Sequence, residues 1–407
     1  MRILMIPKPE PADAVTSGIG RYVGILEKHF GSDVEIVHLP GAPHEEDRPA
    51  KTGEKRDYVV VEGRVHKTIG MLQRVVPSSC FLLFGYLRET VRLARKLRPF
   101  RGKVDIIHVN RVGCEIQTIA ARLAGFRRVV ATIHNLPGEE AAAQHWLRCR
   151  IEKLSFFCAD HLISVSEATY EAWEKRIGLR RDKVTIIHNG IDVRECDLPD
   201  KQEARRRLGI SDNTIVIGIC ARLHPMKGHG VLLDAFAKLL RKRRLSGYQV
   251  DGVSSSEPVA DLLLLIAGDG PEQANIEAKI KELDIADKVR MLGRIQDVMG
   301  FMRALDLHVL PSVTLESMPF SVVEAMFAGV PSIVSDVGGA KEVILASGGG
   351  QVVHKEDVDA LWYGMQDWAY DTLRCNAAGG RCSAYAREKL TGSGMTNATI
   401  KVYRQAL

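Results

Sequence analysis

Paired cysteines are missing from this chain. Its eight cysteines, at 80, 114, 149, 158, 196, 220, 375 and 382, form no C-x-x-C pair, and several lie inside apolar runs. That pattern favours reduced, partly buried thiols in a cytosolic protein over disulfides or a zinc site. No apolar run approaches the ~20 residues of a membrane span. The opening MRILMIPKPEP is too short and too soon broken by proline for a signal peptide, and it reads as a first buried strand. H-E-x-x-H and clustered Cys/His are missing and no Asp-x-Asp metal pair is evident, so no metal site is expected and any phosphate must be met by cations and helix N-termini. A dinucleotide fingerprint is missing too. SGIGRYVGILEKHF (17–30) has glycines at 18, 20 and 24, the wrong spacing, and the second apolar run ends in VHLPG with no acid for a ribose. The stretch keeps two readings: a glycine loop at a cleft, with Gly20 and Arg21 facing phosphate or acceptor, or a plain helix start.

What is present is an alternation of short β-branched runs with helical patterns. The first half carries RILMIP, VEIVHLP, DIIHVN, RVVATIHN, HLISVS and VTIIHNG. The second carries TIVIGICARL, DLLLLIAGDG, VRMLGRI, LHVLPSV, PSIVSDVGG and GQVVHK. Hydrophobicity that runs on rather than alternating marks strands covered on both faces, as in parallel sheets with crossover helices. Two such series in 407 residues predict an α/β protein of two Rossmann-like, doubly wound domains. The expected divisions are 1–200, 201–382 and a terminal helix, 383–407, that packs back across the seam. SGYQVDGVSSSEPVAD (246–261) reads as a polar insertion in the second domain.

In such sheets ligands sit at the carboxyl ends of strands, and the informative residues follow the strands. Arg222 and Lys227 share the loop in ARLHPMKGHG, where two cations beside a helix start suit a diphosphate. GDGP (268–271) reads chiefly as a structural turn. In LESMPFSVVEAMFAGVP (315–331), Ser317 is expected to cap a helix with Pro319 at its first position, and Gly329 and Pro331 to end it. Glu316 and Glu324 then bracket the free N–H groups of a helix N-terminus, an anion seat with a hydroxyl acceptor on either side. His134, in TIHNLPG, ends a strand of the first half and has two readings: a hydrogen-bonded core histidine, or a group orienting a sugar or hydroxyl. Asn189 and Gly190, in IHNGID (187–192), read as a structural turn.

From Met71 to Lys103 the chain places eight basic residues against the single acid Glu89, beside the apolar CFLLFGYL. A basic amphipathic helix on an anionic membrane surface and a core-packed helix with a solvated back fit this run equally. Nucleic acid is not expected as a partner, since the patch lacks interleaved aromatics or a motif.

ESMPFSVVE, ARLHPMKG, IAGDGP, VRMLGRI, AGVPSIVSDVGGAKEVI, IHNGID and SGIGRYV occur, from about residue 17 to 345, in an order and combination that resembles the retaining GT-B glycosyltransferases of family four. The resemblance implies two domains facing across a cleft, the acceptor in the N-terminal half and a nucleotide sugar in the C-terminal half. It implies ribose hydroxyls on Glu324, sugar hydroxyls on Glu316, and sugar or phosphate on the N–H groups of Met318, Pro319, Phe320 and Ser321, of which Pro319 has none to offer. Arg222 and Lys227 would clamp the diphosphate, the chain near Arg294 would meet the base, and His134 would face the sugar. Asn135 stands where the family often has aspartate, which leaves the role of that loop open. The expected activity is a metal-independent, front-face hexosyl transfer from a nucleoside-diphosphate sugar, uridine before guanosine, to a glycan or lipid-linked acceptor. No cofactor beyond the donor is expected, and the expected location is cytoplasmic, with the membrane face as one option. A nucleotide-sugar epimerase on the same scaffold and an inactive sugar- or membrane-binding relative are the alternatives.

Overall fold

The computed structural model describes residues 1–6, 18–38, 78–110, 116–137, 142–193, 198–246, 261–314 and 316–407. Residues 71–77, most of the 246–261 insertion and Ser17 lie outside them. The first half alternates β1 (Arg2–Ile6), α1 (Gly18–His29), β2 (Glu35–His38), α2 (Ser78–Leu97), β3 (Ile106–Val109), α3 (Ile116–Leu123), β4 (Val129–Ile133), α4 (Ala142–Phe157), β5 (His161–Ser164), α5 (Glu167–Ile177) and β6 (Val184–Ile186). The second half runs α6 (Lys201–Arg207), β7 (Thr214–Cys220), α7 (His229–Ser246), β8 (Asp261–Ala267), α8 (Gln273–Glu282), β9 (Val289–Gly293), α9 (Val298–Ala304), β10 (Leu307–Leu310), α10 (Phe320–Phe327), β11 (Ser332–Ser335), α11 (Ala340–Ser347) and β12 (Gly350–Val353). Three helices follow: α12 (Val358–Ala369), α13 (Thr372–Lys389) and α14 (Gly392–Ala406).

Each of the twelve apolar runs is a strand, and the strands form two six-stranded sheets in the orders β2-β1-β3-β4-β5-β6 and β12-β11-β10-β7-β8-β9. Every pairing is parallel. The reason is visible in the interior strands. All residues of β3, β4 and β10 are buried, as a strand covered by helices on both faces requires. Both sheets reverse strand order, at β1/β3 and at β7/β10, and such switch points open crevices at the carboxyl edge.

Helix α13 runs through residue 389 with Cys382 and Ala386 in the second core, which Leu390 joins just beyond it. The chain then crosses back beside the outgoing linker, where Ile191 bridges Thr391 and Gly392 N–H donates to the Ile191 carbonyl at 3.0 Å. Helix α14 lies on the first domain, burying Met395, Val402 and Tyr403 with Tyr22, Val23 and Leu26 of α1. Tyr403 reaches furthest. Its hydroxyl meets the buried His108 Nδ1 at 2.6 Å, and His108 Nε2 meets Thr132 Oγ1 at 2.7 Å. Burial, and then the neighbouring His134, push the His108 imidazole down to about 3, so it is neutral.

Helix α2 packs one face on the first domain and leaves the other exposed. Thr90, Ala94 and Leu97 are buried, while Leu83, Phe84 and Leu87 are exposed at 49%, 69% and 58% beside Arg88, Arg92 and Arg95.

Candidate functional site

The site is built from loops at the carboxyl edge of the second sheet. After β7 the chain passes Arg222, which is exposed, and turns through Pro225–Lys227 into α7. GDGP supports this loop from beneath. Leu223 N–H donates to the Asp269 carbonyl at 2.8 Å, and a Cβ on Gly268 (φ +139°) would overlap the Ala221 carbonyl. The turn is structural, as its glycines indicate, and Asp269 takes part through its backbone.

After β10, Ser312 and Glu316 are both buried, and the Ser312 hydroxyl donates to Glu316 Oε2 at 2.9 Å. Lys227 Nζ forms an ion pair with the same oxygen. The two cations of one loop are therefore divided: Lys227 holds the first acid, and Arg222 stands without an ion-pair partner among the described residues. Gly338 (φ +67°) lets the β11–α11 loop lie on this segment, since a Cβ there would overlap the Glu316 carbonyl.

Helix α10 begins one residue later than the sequence suggests. Phe320 is its first residue, and Pro319 (φ −73°, ψ 130°) takes the cap position in place of Ser317. The carbonyls that would open the helix earlier are occupied. Ser317 O accepts from Gly339 N–H at 2.8 Å, and Met318 O accepts from Asn189 Nδ2 at 2.8 Å. Asn189 is thus more than a turn residue, because it ties the first domain to the loop carrying Met318 and Pro319. Proline at the cap forfeits no hydrogen bond, and Phe320 and Ser321 open the helix with first-turn N–H groups that have no intrahelical acceptor.

Glu324 is 2% exposed on α10. Its partner comes from the other domain. Arg21 Nη2, on α1 one residue after the buried Gly20, lies 2.5 Å from Glu324 Oε1, with its guanidinium 4.7 Å over the Phe320 ring. Oε1 has no aligned hydrogen bond, so the pair is ionic in character. His134 is buried at the end of β4, edge-on to the Tyr22 ring at 4.7 Å, with Nε2 unpartnered. Burial pushes its imidazole down to about 3, so it is neutral and has one nitrogen free to accept or donate. Arg294 is exposed just past β9, the edge strand, and no contact among the described residues ties it to the acids.

A third contact between the domains is made by Glu342. Glu342 of α11 accepts from Ala168 N–H at 2.7 Å and Glu167 N–H at 3.0 Å, the first two amides of α5, and faces His188 Nε2 at 3.1 Å. Sequence reading missed this residue, because an acid in the first turn of its own helix looks like ordinary dipole compensation. It also missed the Arg21–Glu324 pair; the available signal was only that both motifs fall where strands end.

The arrangement puts two buried acids, each held by a cation, beside a helix N-terminus and a free arginine. Carboxylates can accept hydrogen bonds from hydroxyls, and cations beside a helix N-terminus can meet an anion. Residues 16–195 match the family model Glycosyltransferase Family 4, and residues 200–388 match Glycosyl transferases group 1. The UDP-Gal:alpha-D-GlcNAc-diphosphoundecaprenol alpha-1,3-galactosyltransferase of Escherichia coli is 26% identical over 298 residues, 70% of this chain and 72% of that protein. The GDP-mannose-dependent monoacylated alpha-(1-6)-phosphatidylinositol monomannoside mannosyltransferase of Corynebacterium glutamicum is 26% identical over 303 residues, 68% of this chain and 71% of that protein. Among solved structures, Anabaena HepE in complex with UDP and glucose superposes with a TM-score of 0.68 at 19% identity, over 99% of both chains, a likeness of fold.

Proposed function

The chain belongs to the GT-B glycosyltransferases assembled from a family 4 domain followed by a group 1 domain, and from that premise we propose that it transfers a hexosyl unit, with retention, from a uridine diphosphate sugar to a glycan or lipid-linked acceptor. One observation carries the reading. Lys227 and Glu316 are paired beside the start of α10, and Glu324 is buried eight residues further on, with Arg222 left free. In this reading Glu324 accepts from the ribose hydroxyls and Glu316 from the sugar. Arg222, Lys227 and the N–H groups of Phe320 and Ser321 take up the diphosphate. The chain near Arg294 meets the base.

The acceptor hydroxyl attacks the anomeric carbon on the face the diphosphate leaves. The new C–O bond forms as the bond to the phosphate oxygen breaks, and the acceptor proton passes to that oxygen. Charge growing on the leaving group is what Arg222 and Lys227 stabilise, which is why two cations are placed there. Neutral His134 holds a hydroxyl of the transferred sugar. Uridine is favoured by the names of the E. coli relative and the HepE complex, although the Corynebacterium relative is named for GDP-mannose. The lipid-linked acceptor follows the E. coli and Corynebacterium names, and a role in envelope polysaccharide synthesis follows with it.

No helix among the described residues is long and apolar enough to cross a membrane. Peripheral docking on an anionic membrane face is proposed for α2, whose exposed Leu83, Phe84 and Leu87 adjoin Arg88, Arg92 and Arg95. Co-sedimentation that does not increase with anionic lipid content removes that part.

The test of the donor site is calorimetry with uridine and guanosine diphosphate sugars. Glu324→Ala should abolish donor binding in a chain that remains folded. Unchanged affinity would refute the assignment. NMR of the product sugar then reads the anomeric configuration, and inversion would refute the front-face route.

A further inference from the structure

We infer that Arg21 is a partner-exchanging residue: it neutralises Glu324 across the cleft, and when a donor's ribose takes that carboxylate it moves to the donor's diphosphate. The inference rests on the donor site proposed above and adds a residue from the opposite domain to it.

The geometry requires some such cation. The Glu324 side chain is 3% exposed, and a carboxylate removed from water to that extent needs a counter-charge or aligned donors. In the structure its Oε1 has no aligned hydrogen bond, only the Arg21 guanidinium at 2.5 Å. That guanidinium belongs to the first turns of α1, one residue after Gly20, so the neutralising charge arrives from the other domain. Ribose hydroxyls can donate aligned hydrogen bonds to Glu324, which the guanidinium in its present pose does not. Once they do, Arg21 is released as a free cation.

Its nearest anion seat is already under it. The guanidinium lies 4.7 Å over the ring of Phe320, the first residue of α10, whose N-terminus is where the diphosphate is proposed to sit. The side chain is 34% exposed and borders a cavity of about 310 Å³ between the domains, lined also by Ile25, Asp192 and Met299, so it has room to turn. Glu316 and Lys227 form the same kind of pair within the second domain. Both acids are thus paired with cations that a nucleotide sugar would separate, hydroxyls to the acids and phosphates to the cations.

Exchange makes a prediction that neither a plain plug nor a plain ligand makes. Full-length chain is titrated by calorimetry with a nucleoside and its diphosphate, in uridine and guanosine series, and the better-binding base is used. Arg21→Ala, with Arg21→Gln as a milder second variant, is expected to bind the nucleoside as well as or better than the wild type. It is expected to bind the diphosphate about tenfold or more weakly, the size of a charged hydrogen bond lost. Equal weakening of both ligands would show a structural role and overturn the inference. Equal strengthening would show that Arg21 only blocks the site and would overturn it as well, as would no change in either. The underlying site is judged separately by Glu324→Ala: nucleoside binding that survives this change refutes the ribose assignment itself, whatever Arg21 does.

Discussion

Glu342 offers a quantitative test of how the two domains are held. Its carboxylate caps the first two amides of α5 from the opposite domain, while Ser166 Oγ accepts the third, Thr169 N–H, at 3.1 Å. Hydrogen bonds to a charged acceptor contribute about 1.5–3 kcal/mol each when well buried. The Glu342 side chain is 18% exposed, so water replaces part of what is lost, and about 2 kcal/mol is the reasonable total for Glu342→Ala. That corresponds to roughly 30-fold. Amide hydrogen exchange should therefore quicken by about that factor at Glu167 and Ala168, with the amides of the last turn of α5 as internal control. Glu342→Gln, keeping shape but losing charge, should give about fivefold. The pH dependence has a definite sign. Burial alone would raise the Glu342 carboxyl, but His188 and the Ala168 and Glu167 amides outweigh it and hold it below the ordinary 4.5. The stabilisation is then full above pH 4.5 and is lost as pH falls through the depressed folded value; the glutamine variant should lack that loss. Exchange at the two amides that changes less than threefold in Glu342→Ala would refute the clamp.

Three further outcomes are expected. Gly338→Ala places a Cβ against the Glu316 carbonyl at a positive φ, so donor affinity should fall by an order of magnitude or more with the sheet intact by circular dichroism; wild-type affinity would contradict the loop packing. Tyr403→Phe strands the buried His108 Nδ1 and should lower denaturant stability by about 1–3 kcal/mol. Because burial holds His108 at about 3, that loss should be the same at pH 6 and pH 8, and a loss confined to one of them would contradict it. Transfer activity should persist after exhaustive chelation with EDTA, and activity restored only by an added divalent ion would refute the cation-only diphosphate site.

Much of the architecture is legible in the chain because strand burial is a local signal. Runs such as DLLLLIAGDG are apolar over consecutive rather than alternate positions, as a strand covered on both faces requires, and all twelve runs of the two series are strands. The loops that carry the second-domain site are legible for a related reason: polar residues that directly follow buried strands must emerge at one sheet edge. The start of α10 was misplaced by one residue because Ser317 and Met318 give their carbonyls to Gly339 and Asn189, partners that no local reading supplies.

The residues themselves determined which acids and cations belong to one sheet edge, since spacing along a strand–loop–helix unit is set by covalent reach and helical pitch. Which cation neutralises which acid was decided only by the folded chain. Lys227 could serve Glu316 from its own domain, whereas Glu324 is met by Arg21 and the α5 amides by Glu342, each across the seam. Electrostatic pairing depends on distance in space, and the approach of two separately folded sheets sets those distances without any trace in local sequence.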